Sequence, residues 1–431
     1  MNRKAGSPIL LHFILNMKTR FLIVLTILLA VVALVEVYTF QVVKTLFRPR
    51  WVHWSYVLLS VLVYGIFFYN LLTFDRKVGQ TQATLMATGL FLLFTVPKLL
   101  IVPVLFFEDV IRVFIWIKDL IGNSDSSPVT FTERRKFVSQ IALGIAAVPF
   151  LSLFYGMTKG KYNFKVRKET LHFPDLPNEF DGFTLTQISD IHSGSFDDAE
   201  KIQYAIDLIN AQESDLLLFT GDIVNNHADE MEPWIAMFKS IRPHTYGKFS
   251  VLGNHDYGEY LDWDSPKEKE QNFQNIKDLH QKIDFKLLLN EHVKLQKGAA
   301  SLALVGVENW GVKFKKAGDL AKAGAGLTVE DFKILMSHDP SHWDVEVKNH
   351  PDHYQLTLSG HTHGFQFGIE IPGWLKWSPV KYVYNQWAGL YENASRYIYV
   401  NRGFGFHAYP GRVGITPEIT VIELKKGKSI A

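Results

Sequence analysis

Four stretches near the N-terminus decide what this chain can become, because each has about the length at which a helix crosses a bilayer and almost no charge. Residues 51–74, 78–97 and 137–158 contain no Asp, Glu, Lys or Arg, and 21–43 contains only Glu36. A helix rising about 1.5 Å per residue needs roughly 20 residues to cross the hydrocarbon core. Backbone N–H and C=O groups cannot be left unpaired in lipid, so such runs must form helices there. The pattern predicts a membrane region over residues 1–158 with four spans, and a second domain over 159–431 whose composition differs.

Charge divides at the same place. Up to residue 157 there are 15 Lys and Arg against 7 Asp and Glu; beyond it there are 30 against 36. A mildly acidic second half argues against a nucleic-acid partner. The chain has no Cys, which removes disulfides, thiolate-held zinc, iron–sulfur clusters and thiol nucleophiles. Any metal must then sit on His, Asp, Glu or Asn.

Residues 108–122 (EDVIRVFIWIKDLIG) alternate charges with aromatic and branched residues at helical spacing. Charged centres are costly in lipid, so an amphipathic helix lying in the interface is expected there rather than a fifth span. Thr132-Glu133-Arg134-Arg135-Lys136-Phe137 precedes the fourth span. It resembles a twin-arginine export signal placed internally, and reads equally as a positive flank. Both readings put Arg134 in the cytoplasm and the following domain outside, as a multi-pass protein of the cell membrane. With four spans the N-terminus is then outside too, although Arg3, Lys4, Lys18 and Arg20 favour the cytoplasm. Glu36 and Lys98 fall at or near membrane depth. Snorkelling at span ends is preferred to a transport path, since no internal repeat or pair of broken spans accompanies them.

After Lys161 short β-branched runs alternate with amphipathic stretches. Residues 184–189, 216–220, 249–252, 333–337 and 355–359 read as buried strands, and 198–211, 229–240 and 267–283 as helices. Each strand runs into polar residues: Asp190-Ile191-His192, Gly221-Asp222, Gly253-Asn254-His255-Asp256, His338-Asp339 and Gly360-His361-Thr362-His363-Gly364. The C-terminal ends of strands are where open α/β sheets place their sites. A single His is usually a satisfied core residue, but five such deliveries in order are not expected by chance.

The ordered set DxH, GD, GNHD, H and GHxH resembles the calcineurin-like metallophosphoesterases. Asn401-Arg402-Gly403-Phe404-Gly405 and Pro417-Glu418-Ile419 resemble the close of a membrane-anchored bacterial branch. The resemblance covers about residues 160–425 and implies an α/β sandwich of two central β-sheets flanked by helices. It implies two divalent metal ions: one on Asp190, His192, Asp222 and His363, the other on Asp222, Asn254, His338 and His361. An all-oxygen-and-nitrogen ligand set suits Mn, Fe or Zn. It further implies hydrolysis of a phosphodiester, phosphomonoester or pyrophosphate by a metal-bridging hydroxide, with His255 as general acid or phosphate contact and Asp256 orienting its ring.

The remaining residues leave alternatives open. Gly253, Gly360 and Gly364 serve either close backbone approach or turn geometry. His227, His342 and His407 could reach the cleft, but each taken alone reads rather as structural or exposed. The aromatic residues of 366–399, among them Trp374, Trp377, Tyr382, Tyr384, Trp387, Tyr391, Tyr397 and Tyr399, fit either a rim dipping into the bilayer interface or the packing of a β-rich insertion. The substrate is accordingly a phosphoester, with a membrane lipid or a soluble periplasmic compound as the options. A non-catalytic metal-binding receptor or scaffold on the same fold is the alternative from another class.

Overall fold

The computed structural model describes residues 8–122, 128–371 and 373–428. Four long helices open the chain: α1 (Pro8–Leu46), α2 (Arg50–Leu72), α3 (Gln82–Gly122) and α4 (Pro128–Thr158). Each contains a stretch long and apolar enough to cross a membrane. The chain divides into two compact units, one holding the residues up to Tyr69 with Leu90–Phe154, the other Asn70–Gly89 with the chain from Tyr155 onward.

Within the first unit, apolar packing centres on Val42, Ile101, Leu105, Ala142 and Ala146. The charged residues are paired rather than snorkelling. Glu36 accepts hydrogen bonds from Tyr56 (2.5 Å), Ser60 (3.0 Å), Tyr64 (2.7 Å) and Lys98 (2.5 Å), so one carboxylate joins α1, α2 and α3. Residues 108–122, expected as a separate interfacial helix, are instead the last part of the continuous α3. The physical reason is local: Glu108 is buried and neutralised by Arg112 (3.0 Å) and by Arg135, and nothing between Phe107 and Gly122 breaks a helix. Pro97 and Pro103 lie inside α3, and its aromatic residues Phe114 and Trp116 are exposed.

The second unit is a sandwich. Its first strands and helices are β1 (Lys165–Phe173), β2 (Phe183–Ile188), α5 (Ala199–Asn210), β3 (Leu216–Phe219), α6 (Ile235–Lys239), β4 (Lys248–Ser250), α7 (Pro266–Lys282) and β5 (Lys286–Leu287). Then come β6 (Glu291–Lys297), β7 (Ala300–Gly306), α8 (Leu320–Ala323), β8 (Lys333–Met336), α9 (Ser341–Val345) and β9 (Leu356–Ser359). A small hairpin, β10 (Ile369–Ile371) and β11 (Leu375–Trp377), precedes β12 (Gly389–Asn393), β13 (Arg396–Val400) and β14 (Glu418–Lys426). One six-stranded sheet has the order β1-β14-β2-β3-β4-β5, the other β12-β13-β9-β8-β7-β6. Leu185, Leu216 and Leu218 of the first sheet meet Leu304, Ile334, Met336 and Leu358 of the second in a shared buried layer. Ile202, Ile206, Phe238, Ile276 and Leu279 cover the outer face of the first sheet from α5, α6 and α7. All three of β3, β8 and β9 are buried throughout; β3 (LLLF) is wholly apolar, β8 (KILM) apolar after Lys333, and β9 alternates Leu356 and Leu358 with Thr357 and Ser359.

The helix starts follow capping chemistry. Asp198 accepts from the Lys201 N–H, and Ser265, followed by Pro266, accepts from the Glu268 N–H. The stretch expected as a helix over 229–240 is a 3-10 turn, Ala228–Trp234, followed by the short α6. Pro233 lies within the turn and has no N–H to give, which is why a continuous α-helix does not form.

Two stability predictions follow from burial. His280 is fully buried, stacked on Phe219 at 5.7 Å, with neither ring nitrogen hydrogen-bonded, and burial pushes its pKa down to about 3. A depressed folded-state pKa contributes stability that is present above the unfolded value near 6.5 and lost as pH falls towards the folded one. His280→Phe should therefore gain on the parent by about 2 kcal/mol between pH 6.5 and pH 5, read as a difference in thermal midpoint that widens on acidification; a constant difference would contradict it. Arg135→Gln strips a partner from buried Glu108 and should cost about 3–5 kcal/mol, whereas Arg134→Gln should be tolerated. Fluorescence-detected gel filtration of the membrane fraction checks this, because an export signal requires both arginines and would fail equally in either variant.

Candidate metal centre

Strands β2, β3 and β4 run parallel in one sheet, β8 and β9 in the other, and all five deliver their following residues to one edge of the sandwich. The turns there are sharp. Asp190 (φ 52°), His192 (φ 47°), Asp222 (φ 61°), His361 (φ 72°) and His363 (φ 49°) all adopt left-handed backbone, which non-glycine residues rarely do. Such strain persists only where the surroundings over-determine it, and it gathers at functional sites. Backbone ties impose it here: Asp190 N donates to Gly221 O (2.9 Å), His192 N to Asp222 O (3.1 Å) and Gly360 N to His338 O (2.9 Å).

Two groups of ligand-type atoms result. In one, His363 Nε2 lies 3.2 Å from Asp190 Oδ1 and 3.0 Å from His192 Nε2. In the other, His338 Nε2 faces Asp222 Oδ2 at 3.1 Å, His361 completes the group, and Asn254 Oδ1 is 2.7 Å from His361 Nδ1. Asp222 Oδ2 also stands 3.6 Å from His192 Nε2, so this carboxylate adjoins both groups.

The donor chemistry fits cations. His338 Nδ1 donates to Thr220 O at 2.6 Å, so in the neutral ring Nε2 would carry no proton while it faces the Asp222 carboxylate at 3.1 Å. Two acceptors at that distance repel unless something positive lies between them. Burial alone lowers the His338 pKa, but the facing Asp222 carboxylate overcomes this and raises it to about 10. Burial raises the Asp222 pKa, and the His338 and His255 imidazoles outweigh it, holding the carboxyl well below its usual range. His192 is held neutral, its pKa pushed down by burial and by the imidazoles of His255 and His363.

His255 lies beside these groups, its ring 4.9 Å from that of His192. Its backbone N–H donates to Asp222 Oδ1 (2.8 Å), and its Nδ1 donates to Asn225 O (2.8 Å), leaving Nε2 directed away. Asp256 does not orient this ring, contrary to the expectation. Its carboxylate accepts from the N–H groups of Asp222 (3.0 Å), Ile223 (2.9 Å) and Gly253 (2.8 Å), so it staples the β3 and β4 turns together and is spent on them. Burial, with the Asp222 charge nearby, raises its pKa to about 7.

"Calcineurin-like phosphoesterase" matches residues 183–365, and "Probable Calcineurin-like phosphoesterase, transmembrane domain" matches residues 19–161. The uncharacterized metallophosphoesterase YkuE of Bacillus subtilis is 32% identical over 254 residues, covering 58% of this chain and 82% of that protein. The chain belongs to the calcineurin-like metallophosphoesterase family. YkoQ of the same organism is 24% identical, with 65% of this chain and 97% of that protein covered. A transmembrane protein with metallophosphoesterase domain from Danio rerio is 26% identical, with 63% and 60% covered.

The structure separates the three remaining histidines and adds residues that the sequence reading did not name. His407 stacks on His192 (4.9 Å, 22°) and lies 4.5 Å from His255, forming a third imidazole group, whereas His342 is held by Ser337 (2.8 Å) under Trp310 and His227 binds Lys77 O (3.1 Å). Asn225 accepts from His192 Nδ1 (3.0 Å) and His407 Nδ1 (3.2 Å) through its side chain and from His255 through its carbonyl, so one residue sets three rings. Gln80, in the loop before α3, accepts from Ala408 N (2.9 Å) and donates to Ser195 (3.3 Å), which in turn bonds Asn225 (3.0 Å). No local motif marks any of these residues, because their roles depend on chain closure over long separations.

The glycines are now distinguished. Gly364 has φ 55°, so turn geometry requires it, while Gly253 and Gly360 have no positive φ and are there for close approach. A Cβ on Gly360 would stand 1.9 Å from Ser189 Oγ and 2.2 Å from Asp190 Oδ2. Gly360→Ala should therefore displace the Asp190 carboxylate and weaken divalent-metal binding roughly 10- to 100-fold. Isothermal titration with Mn or Zn measures it, and unchanged affinity would refute the close-approach role.

Proposed function

We propose that the chain is a membrane-anchored dimetal phosphoesterase. The observation that supports this most is the convergence of Asp190, His192, Asp222, His338, His361 and His363 at one edge, with Asp222 between two ligand groups. Asp190, His192, Asp222 and His363 would hold one divalent cation; Asp222, Asn254, His338 and His361 would hold the second, with Mn, Fe or Zn suited to these donors. When bound, such cations neutralise phosphoryl oxygens and lower the pKa of water for in-line attack.

The protein's own residues supply the rest. Neutral imidazoles are what metal ligation needs, and burial of His192 keeps it so. His255, anchored through Nδ1 on Asn225 O, presents Nε2 to a phosphate or to the leaving oxygen. An anionic phosphate beside it favours the protonated ring, which then gives its Nε2 proton to the departing alkoxide. Asp256 keeps Asp222 and Gly253 in register and acts on the chemistry only through them.

The substrate we propose is a phosphodiester or pyrophosphate on a lipid headgroup, supported by the membrane helices and the exposed aromatic residues near His363. We propose an extracytoplasmic catalytic domain, a reading supported by Arg134 and Lys136 ahead of the apolar part of α4.

Metal analysis and turnover of the detergent-purified full chain test the reading, using chromogenic diesters, phospholipids and nucleotide-linked lipids with Mn or Zn. Two metals per chain are expected. Asp222→Asn should lose metal and at least about 1000-fold in rate, while His255→Ala should keep both metals and lose about 100- to 10,000-fold in kcat. Fewer than two metals, or an Asp222→Asn variant as active as the parent, would overturn the proposal. Equal rates on short soluble diesters and lipids would overturn the lipid assignment alone.

A further inference from the structure

The β10–β11 hairpin is built inside out. Its register pairs Ile369 with Trp377, Glu370 with Lys376 and Ile371 with Leu375, and paired residues in an antiparallel ladder share a face. Glu370 is half-buried, and Lys376, although exposed as a residue, reaches back with its ammonium to the same side. Glu370 binds Arg402 (2.6 Å) and Arg167 (2.8 Å), and Lys376 donates to Ala388 O and lies 5.0 Å over the Trp387 ring. The outward face is Ile369, Ile371, Leu375 and Trp377, of which the first three are exposed, and the turn carries Trp374 at 78% exposure. A hairpin facing water on one side normally buries its apolar face and solvates its charged one. Here the ion pairs fix the opposite register.

Phe365, two residues after His363, is exposed as well, as are Tyr382 (75% exposed) and Val383. The hairpin's foundation is tied to the chain just after Phe154, within the same unit. Gly368 N donates to Val413 O (2.9 Å) and Val413 N to Gln366 O (2.8 Å), while Arg412 N donates to Gly156 O (3.2 Å) in the last turns of α4. Gly156 and Gly160 leave no room for a Cβ against Arg412 and Val413, so this junction is tightly packed.

We infer that the β10–β11 hairpin, with Trp374 at its tip and Tyr382 alongside, inserts into the interfacial layer of the bilayer that α4 crosses. Trp and Tyr favour that layer, and exposed apolar patches of this kind mark interaction sites. The inference rests on the membrane-spanning reading of α1–α4 and is independent of the catalytic one.

The absence of Cys from the chain allows a direct test. Trp374→Cys, Ile369→Cys and, as a control near the opposite strand ends, Val329→Cys each carry one nitroxide in the full chain, reconstituted in phosphatidylcholine–phosphatidylglycerol vesicles. Labels at 374 and 369 should relax faster with oxygen than with a water-soluble nickel chelate, and the label at 329 should do the reverse. Nickel accessibility at 374 equal to that at 329 would overturn the proposal. Protection from both reagents that grows with the protein-to-lipid ratio would assign the face to a second copy and overturn it as well. The readout needs no turnover, so it stands or falls separately from the enzymatic reading.

Discussion

Asp222 is a buried carboxylate on which the architecture of the site converges. A charge removed from water must be met by partners, and Asp222 is met by His338 Nε2 (3.1 Å), His192 Nε2 (3.6 Å) and the His255 N–H (2.8 Å). Those partners come from strands of both sheets. The two sheets can supply them only if their C-terminal ends share an edge, which the common apolar layer between the sheets enforces. Asp256 then anchors the β3 and β4 turns through three backbone amides, so the carboxylate that looked like part of the chemistry is part of its frame.

The same logic of compensated burial governs the membrane helices. Glu36, with Lys98 and three hydroxyls around it, and Glu108, with two arginines, are polar knots that join helices from different parts of the chain. Arg135 is one of those arginines, so half of the twin-arginine-like pair has a structural partner in Glu108, Asp109 and Gln41. Charges that look misplaced in a hydropathy reading are here the specific contacts of the bundle.

Legibility in the sequence followed the range of the interaction. The five strands that run into the polar motifs lie within two residues of where the sequence puts them, since a buried strand is rich in apolar residues and its turn is polar. The cap at Asp198 was equally local. The 3-10 turn at Ala228–Trp234 and the unbroken α3 were misjudged where a single proline, or a distant arginine, outweighed periodicity. Asn225 and Gln80 carry no local signal, and His407 reads as structural or exposed, because each acts across a long loop closure that no neighbouring residue encodes. The aromatic run of 366–399 split in two: Trp387 and Tyr399 are buried, while Trp374 and Tyr382 stand exposed.

By itself the sequence determined the membrane-crossing helices, the layered α/β class and the order of ligand-type residues, because hydrophobic length, strand periodicity and turn chemistry are properties of contiguous segments. Only the tertiary structure decided which imidazoles face which carboxylates, that Asp256 is a staple, that His407 joins the site and that the hairpin turns its apolar face outward. Those outcomes depend on distances between residues far apart in the chain, and such distances are set when the two sheets close on one another.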